Sequence, residues 1–306
     1  MEKYKIKINV HEILDCLGSQ VINVFGPIDG YLVDNLADAK HVTSSTLDWV
    51  NPSKKNKQQI AEQSPAFVLL VDNEVIYSES LRNRKATLIV TKNPKRALAA
   101  VGNSFFVNRP SPHIHPTAII SPLASIGKNV YIGPYAVIEN TVIGDNTIVS
   151  SFVKIYDNVV VGKSCYIKEG AVIGGEGFGF ERDENGNRFR FPQIGGVIIG
   201  DNVEIGSNTC IDRGALSDTV IESHAKIDNL CHIAHNVHIG NNAVIVACSE
   251  ISGSCVLGDD VWTGPNVSIR DQRKVGKESL VGMGSVVVKD IPEGEVWAGN
   301  PAKKMR

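Results

Sequence analysis

The chain has 306 residues, 42% of them hydrophobic, and a formal net charge of -2. That length allows two domains and a sizeable core, and so neutral a chain carries no global charge signal for nucleic acid or a membrane surface. The six cysteines (16, 165, 210, 231, 248 and 255) form no CxxC pair, and the opening MEKYKIKINV has no apolar signal region. No run approaches the ~18 apolar residues of a spanning helix, so a cytoplasmic protein with reduced thiols is expected.

Residues 1–112 read as a small mixed α/β domain. Val10 to Leu17 is a short helix ended by Gly18. Ala66 to Val71 and Ala86 to Val90 are strands, the second leading through Asn93-Pro94 into a helix over Lys95 to Val101. Arg109-Pro110-Ser111-Pro112 reads as a linker.

Over residues 113–290 a period of six takes control. Aliphatic residues stand at Ile114, Ile120, Ile126, Ile132 and Ile138. After a one-residue slip they resume from Ile143 through Val149, Ile155, Val161 and Ile167 to Ile173. A loop from Gly174 to Gly196 interrupts, and Ile199, Ile205 and Ile211 restore the phase. A four-residue slip follows, and the run from Ile221 continues to Val287. Each unit supplies one short strand and one corner, with the aliphatic side chain inward. Three units close a coil of 18 residues, and successive coils pair as parallel strands about 4.8 Å apart. The fold class is therefore mainly β, a parallel β-helix preceded by the α/β domain, with residues 291–306 as a C-terminal tail.

Gly174-Gly175-Glu176-Gly177-Phe178-Gly179-Phe180 is followed by Phe191-Pro192-Gln193-Ile194-Gly195, Ile211-Asp212-Arg213-Gly214-Ala215-Leu216 and Ile233-Ala234-His235-Asn236-Val237. This series resembles the UDP-3-O-acylglucosamine N-acyltransferases of lipid A biosynthesis, densely from Ile167 to Gly240 and more weakly elsewhere. The glycine-rich piece lies between β-helix units rather than between a strand and a helix, which argues against a dinucleotide loop. The resemblance implies a left-handed coil, since parallel crossovers are ordinarily right-handed and the period is silent on hand. It also implies a homotrimer with active sites between adjacent β-helices.

The family moves an acyl group from a thioester carrier to the amino group of a nucleotide-linked sugar, with the histidine of the Ile-Ala-His-Asn motif as general base. That residue is His235 here, and an imidazole suits proton removal near neutral pH. One coil of 18 residues beyond it stands Gly253, whose bare backbone leaves room for a substrate. The family's oxyanion amide maps onto it, although a glycine chosen only for the corner is the competing reading. Direct transfer is expected, with Cys231 and Cys248 filling small-residue positions rather than acting as nucleophiles. Asn236 belongs to the same motif and is expected to contact substrate. Asp228 and Asn229 match a substrate-binding motif, or cap a solvated corner. Trp49 and Asn51 are candidates for holding the nucleotide base, or for the small domain's core. His232, His235 and His238 tempt a zinc assignment. Residues 232 and 238, however, fall on neighbouring faces of the prism, so no metal is expected within one chain.

Two departures bear on the donor. The family's second histidine falls on or near Gln272, and the C-terminal helical extension is replaced by an ending like that of coenzyme A-dependent sugar acetyltransferases. Lys303, Lys304 and Arg306 could then meet the phosphates of an acyl-CoA, or form a solvated basic tail. The favoured expectation is a short-chain or hydroxyacyl-CoA donor and a UDP- or dTDP-linked amino sugar. The alternatives are the lipid A enzyme using acyl carrier protein and, more distantly, a non-enzymatic β-helix shaft.

Overall fold

The computed structural model describes residues 6–305, so Arg306 lies outside the described residues. The chain forms two compact units, one ending at Arg109 and the other beginning at Pro110.

In the first unit β1 (Ile8–Asn9) leads into helix α1 (Val10–Leu17). Asn9 caps the helix by accepting from the Glu12 N–H at 2.9 Å, and the Glu12 carboxylate accepts from the Asn9 N–H at 2.8 Å. Val10, Ile13 and Leu17 recur at helical spacing and are buried. The strands that follow are β2 (Val21–Phe25), β3 (Leu32–Val33) and β4 (Leu47–Trp49). Helix α2 (Lys57–Gln63), β5 (Val68–Val71), α3 (Glu79–Asn83), β6 (Thr87–Thr91) and α4 (Pro94–Val101) complete the unit. A four-stranded sheet runs in the order β2-β6-β5-β4. Its two central strands are buried on both faces, with Val68, Leu70 and Ile89 in one core and Leu69, Val71, Leu88 and Val90 in another. Continuous apolar runs made β5 and β6 visible in the sequence for this reason. The edge strand β2 and helices α2 and α3 bury little and gave no such pattern.

The second unit is a left-handed parallel β-helix. Its strands form three faces. The first runs from His113–Ile114 to Lys303–Lys304, the second from Ile119–Ile120 to Val286–Val287, and the third from Ser125–Ile126 to Lys274–Val275. The aliphatic residue of each unit stacks on its counterpart one coil away, as Ile233 does between Ile211 and Ile251. From Ile132 to Val287 these residues are buried in one continuous core. Ile114 is 48% exposed, because no coil lies beneath the first one to cover it. The corners take left-handed φ values near +60°, and asparagine recurs there, as at Asn129, Asn146, Asn158, Asn202 and Asn236. Asparagine tolerates that conformation better than most residues with a Cβ.

The departures from strict period six in the repeat, other than at the last coil, lie between Ile138 and Ile143, between Ile173 and Ile199, and between Ile211 and Ile221. Each of those pairs steps from the second face to the third. One edge of the prism therefore carries the shortened corner and, after one regular coil, the long loop and the four-residue insertion on successive coils. That edge holds the candidate site.

Candidate active site

His235 follows the second-face strand His232–Ile233, on the coil after the insertion at Gly214–Ser217. Pairing of Ile233 with Ile251, and a Ser254 N–H to His235 carbonyl bond of 2.9 Å, set Gly253 beside it on the next coil. The approach is close. A methyl group on the Gly253 α-carbon would lie 2.8 Å from the imidazole Nε2 and 2.7 Å from Cε1. The ring therefore rests on backbone that only glycine leaves bare.

The other ring nitrogen is held by the neighbouring residue. Asn236 has φ +61°. Its Oδ1 accepts from the Ala215 N–H at 3.1 Å, and its Nδ2 donates to the Ser217 carbonyl at 3.0 Å. These two bonds fix which end of the amide is oxygen. That oxygen lies 3.1 Å from His235 Nδ1. An amide oxygen can only accept, so Nδ1 carries the proton and the lone pair of the neutral ring is on Nε2. The insertion that breaks the repeat thus supplies the groups that set the tautomer of His235.

At some corner positions equivalent to Gly253 the N–H is capped by an oxygen of the next coil: Lys163 by Asp201, Ser207 by Asn229 and Asn241 by Asp259, each at 2.7 Å. No hydrogen bond from the Gly253 N–H occurs among the described residues.

The long loop contains a hairpin of Phe180–Arg182 and Arg188–Arg190. Before it, Gly177 packs on His235 from another side, where a Cβ would lie 3.0 Å from His235 Cβ and 3.1 Å from Cδ2. The same Cβ would lie 2.8 Å from Gln193 Oε1. Arg190 donates to the Gly177 carbonyl at 3.1 Å, and Arg213 ties the root of the loop to the coil below, donating to the carbonyls of Gly174 (2.7 Å) and Asp157 (3.0 Å).

Asp212, at the start of the insertion, is only 15% exposed and lies 3.7 Å from His232 Nε2. Burial holds its carboxyl above the ordinary carboxylate value, against the opposing pull of His232 and His235. Gly177, Gln193, Asp212 and Arg213 all lie within the sequence motifs that carried the resemblance, but nothing in periodicity or composition assigned them roles.

The remaining sequence-derived candidates sit elsewhere. Asp228 and Asn229 occupy the edge between the first and second faces. There Asp228 accepts from the Asn229 and Ala247 N–H groups at 2.7 and 3.2 Å, and Asn229 from Ser207. Within one chain they are corner caps and do not join His235. Trp49 and Asn51 belong to the first unit. Trp49 ends β4 half-buried against its core, and the Asn51 side chain accepts from the Ser53 N–H and hydroxyl at 3.0 and 2.8 Å. Lys303 and Lys304 form an exposed strand antiparallel to Val296–Ala298, and Lys304 pairs with Glu295 at 2.5 Å. His232 and His238 stand on different faces, the latter 3.5 Å from Glu222. Among the described residues no group of three or more His, Cys, Asp or Glu could hold a metal ion.

Two family models match this chain. The GMPPB C-terminal domain covers residues 102–216, and the bacterial transferase hexapeptide model (six repeats) covers residues 218–253. The UDP-3-O-acylglucosamine N-acyltransferase of Caulobacter sp. is 44% identical over 147 residues, 48% of this chain and 43% of that protein. The enzyme of the same name from Coxiella burnetii is 36% identical over 243 residues, 72% of this chain and 69% of that protein. Among solved structures, the UDP-N-acetylglucosamine acyltransferase of Francisella novicida is similar with TM-score 0.58 and 28% identity, over 63% of this chain and 69% of that one. LpxA of Bacteroides fragilis, a UDP-N-acetylglucosamine acyltransferase, is similar with TM-score 0.57 and 29% identity, over 63% and 73%. With His235, Asn236 and Gly253 arranged on a left-handed β-helix, and a relative matched over more than two thirds of its length, this chain belongs to the UDP-3-O-acylglucosamine N-acyltransferase family of hexapeptide-repeat acyltransferases.

Proposed function

We propose that this chain transfers an acyl group from a thioester to the amino group of a nucleotide-linked amino sugar. One observation carries the reading: a histidine whose tautomer leaves Nε2 basic lies against Gly253, whose N–H has no hydrogen-bond partner among the described residues. The amine nitrogen attacks the thioester carbonyl carbon while Nε2 takes one of its protons. The Gly253 N–H donates to the oxyanion that forms. Collapse breaks the C–S bond, and the thiol departs with the proton from the imidazolium. His235 and Gly253 are the catalytic residues in this scheme, and Asn236 orients the base.

The names of the relatives favour UDP-3-O-acylglucosamine as acceptor, and with it the lipid A type of reaction over a short-chain acyl-CoA reaction. The expectation of coenzyme A rested on the basic tail. Lys304 is already engaged with Glu295, which weakens that support. Acyl carrier protein is therefore the donor we favour. A trimer with clefts between β-helices, and a cytoplasmic location, belong to the same proposal. Among the described residues no helix is long and apolar enough to cross a membrane.

The test is thiol release from acyl carrier protein and CoA thioesters of several chain lengths, each with UDP- and dTDP-amino sugars. We expect release with UDP-3-O-acylglucosamine and long-chain carrier-protein thioesters, and its loss in His235→Ala. A folded His235→Ala protein with full activity would overturn the mechanism. Turnover confined to short acyl-CoA would restore the coenzyme A reading.

A further inference from the structure

Gln193 is buried, only 7% exposed, yet its side-chain Oε1 has no hydrogen-bond partner. Its Nε2 donates to the Phe191 carbonyl at 3.3 Å. Turning the amide over would set oxygen against oxygen there, so the orientation is fixed and the lone acceptor is real. An amide oxygen withdrawn from water without a donor forfeits its hydration, and such an atom calls for an explanation. The atom has a definite neighbourhood. It and the His235 side chain lie against the same glycine, since a Cβ on Gly177 would be 2.8 Å from Oε1 and 3.0 Å from His235 Cβ. Gly179 packs on the other end of the amide, 3.1 Å from Nε2 by the same measure. Gln193 thus supports the Gly177-Phe178-Gly179 segment where that segment meets the proposed base.

We infer that Gln193 is a specificity-determining residue whose Oε1 accepts an N–H of the attacking amine and so favours nitrogen over oxygen nucleophiles. This rests on the acyl-transfer reading above. A primary amine has two N–H bonds and one lone pair. The lone pair forms the N–C bond, one proton passes to His235 Nε2 and leaves with the thiol, and the second N–H remains in the product amide. That remaining N–H needs an acceptor at every stage, and Gln193 Oε1 supplies it. A hydroxyl nucleophile surrenders its only O–H to the base and becomes an ester oxygen with nothing to donate, which leaves Oε1 unpaired. A site built to bond a substrate N–H discriminates strongly against an analogue that lacks it. Contact with the amine requires the Gly177–Gly179 segment to give way over Oε1, and the glycines at its two ends bring no side chains against the amide.

The experiment compares two acceptors that differ only in bearing –NH2 or –OH at the reacting carbon, using the full chain, the parent, Gln193→Met and Gln193→Glu. Methionine keeps the length and removes the acceptor, whereas glutamate keeps an acceptor oxygen. Turnover and acceptor affinity are both measured, so the affinity ratio decides if hydroxyl turnover is undetectable. The expected result is a fall of about tenfold or more in the amine-to-hydroxyl preference for Gln193→Met, with partial recovery in Gln193→Glu. An equal loss for both acceptors, or no change in preference, overturns the assignment and leaves Gln193 as a support for the loop. A parent protein that accepts no nucleotide-linked amino sugar would instead overturn the proposed function, an outcome distinguishable before any variant is made.

Discussion

Gly253 approaches His235 so closely that a single methyl group on its α-carbon would lie 2.8 Å from the imidazole Nε2. Gly253→Ala must therefore move the ring, its own backbone or both. His235 is held on its far side by Asn236 and packed against Gly177, so the displacement cannot be absorbed without loss of alignment. The substitution is expected to lower kcat by about 10²–10³, the scale of losing an oxyanion donor. The thermal midpoint is measured alongside, because the half-buried corner must also accommodate the methyl group. Parent-like kcat would remove Gly253 from the site.

Asn236 can be replaced without straining its own backbone, since its φ of +61° suits glycine equally well, although the bonds to Ala215 and Ser217 are lost with the side chain. Asn236→Gly removes the oxygen that faces His235 Nδ1, freeing the ring to take the other tautomer. A fall of kcat by about 10²-fold is expected, within the range a positioned base contributes, with KM less affected. Asn236→Asp retains an acceptor for Nδ1 and for the Ala215 N–H and should recover part of the rate. Equal rates in the glycine and aspartate variants would mean that tautomer control is not the function of Asn236.

The coil was legible because Ile and Val at every sixth position are the core itself, and from Ile132 to Val287 they are buried as the period requires. The partnership of His235 and Gly253 was legible by the same arithmetic, one coil being 18 residues where no slip intervenes. What lay across a slip was not. Asn236 meets Ala215 and Ser217, and Gly177 meets His235, only because an insertion and a hairpin share one edge of the prism. Periodicity counts residues and says nothing of where a loop folds back. Asp228 and Asn229 were ambiguous for a related reason. Corner caps and ligand-binding groups use the same residue types, and here the pair caps N–H groups on another edge.

The interior of the β-helix should be far less tolerant than its first coil. Ile233 is fully buried between two neighbours, and Ile233→Ala should cost about 2–5 kcal/mol. Ile114 is 48% exposed, and Ile114→Ala should stay within about 1 kcal/mol. Denaturant titration of the two variants checks the contrast. Equal costs would mean that the first coil is covered in solution.

No thiol should take part in catalysis. Burial raises the Cys231 thiol above its ordinary value, and its Sγ lies 3.5 Å from the Val246 carbonyl. Cys255 is pushed up to about 11 by the same cause. A raised thiol is protonated at neutral pH and is a poor nucleophile. Cys248 is exposed but sits at the edge between the first and second faces, away from the His235 corner. Cys231→Ala and Cys248→Ser should each keep parent kcat, and no acyl-enzyme should accumulate in single turnover. A covalent acyl adduct on either cysteine would replace direct transfer with a two-step route.

Asp212 should trade stability for position. Its carboxyl is held above the ordinary value by burial, so the charged form costs more in the folded chain than in the unfolded one. The cost is present at neutral pH. It is relieved as pH falls through the raised folded value, where the buried group takes a proton before the unfolded chain does. Asp212→Asn removes the charge at nearly constant shape. Its thermal midpoint should therefore exceed the parent's at pH 7 and converge on it toward pH 4. Activity should fall at the same time if the carboxylate orients His232 beside the site, 3.7 Å away. A variant less stable than the parent at neutral pH would mean that the carboxylate's contacts outweigh its desolvation. A variant more stable and fully active would mean that the buried charge serves neither fold nor reaction.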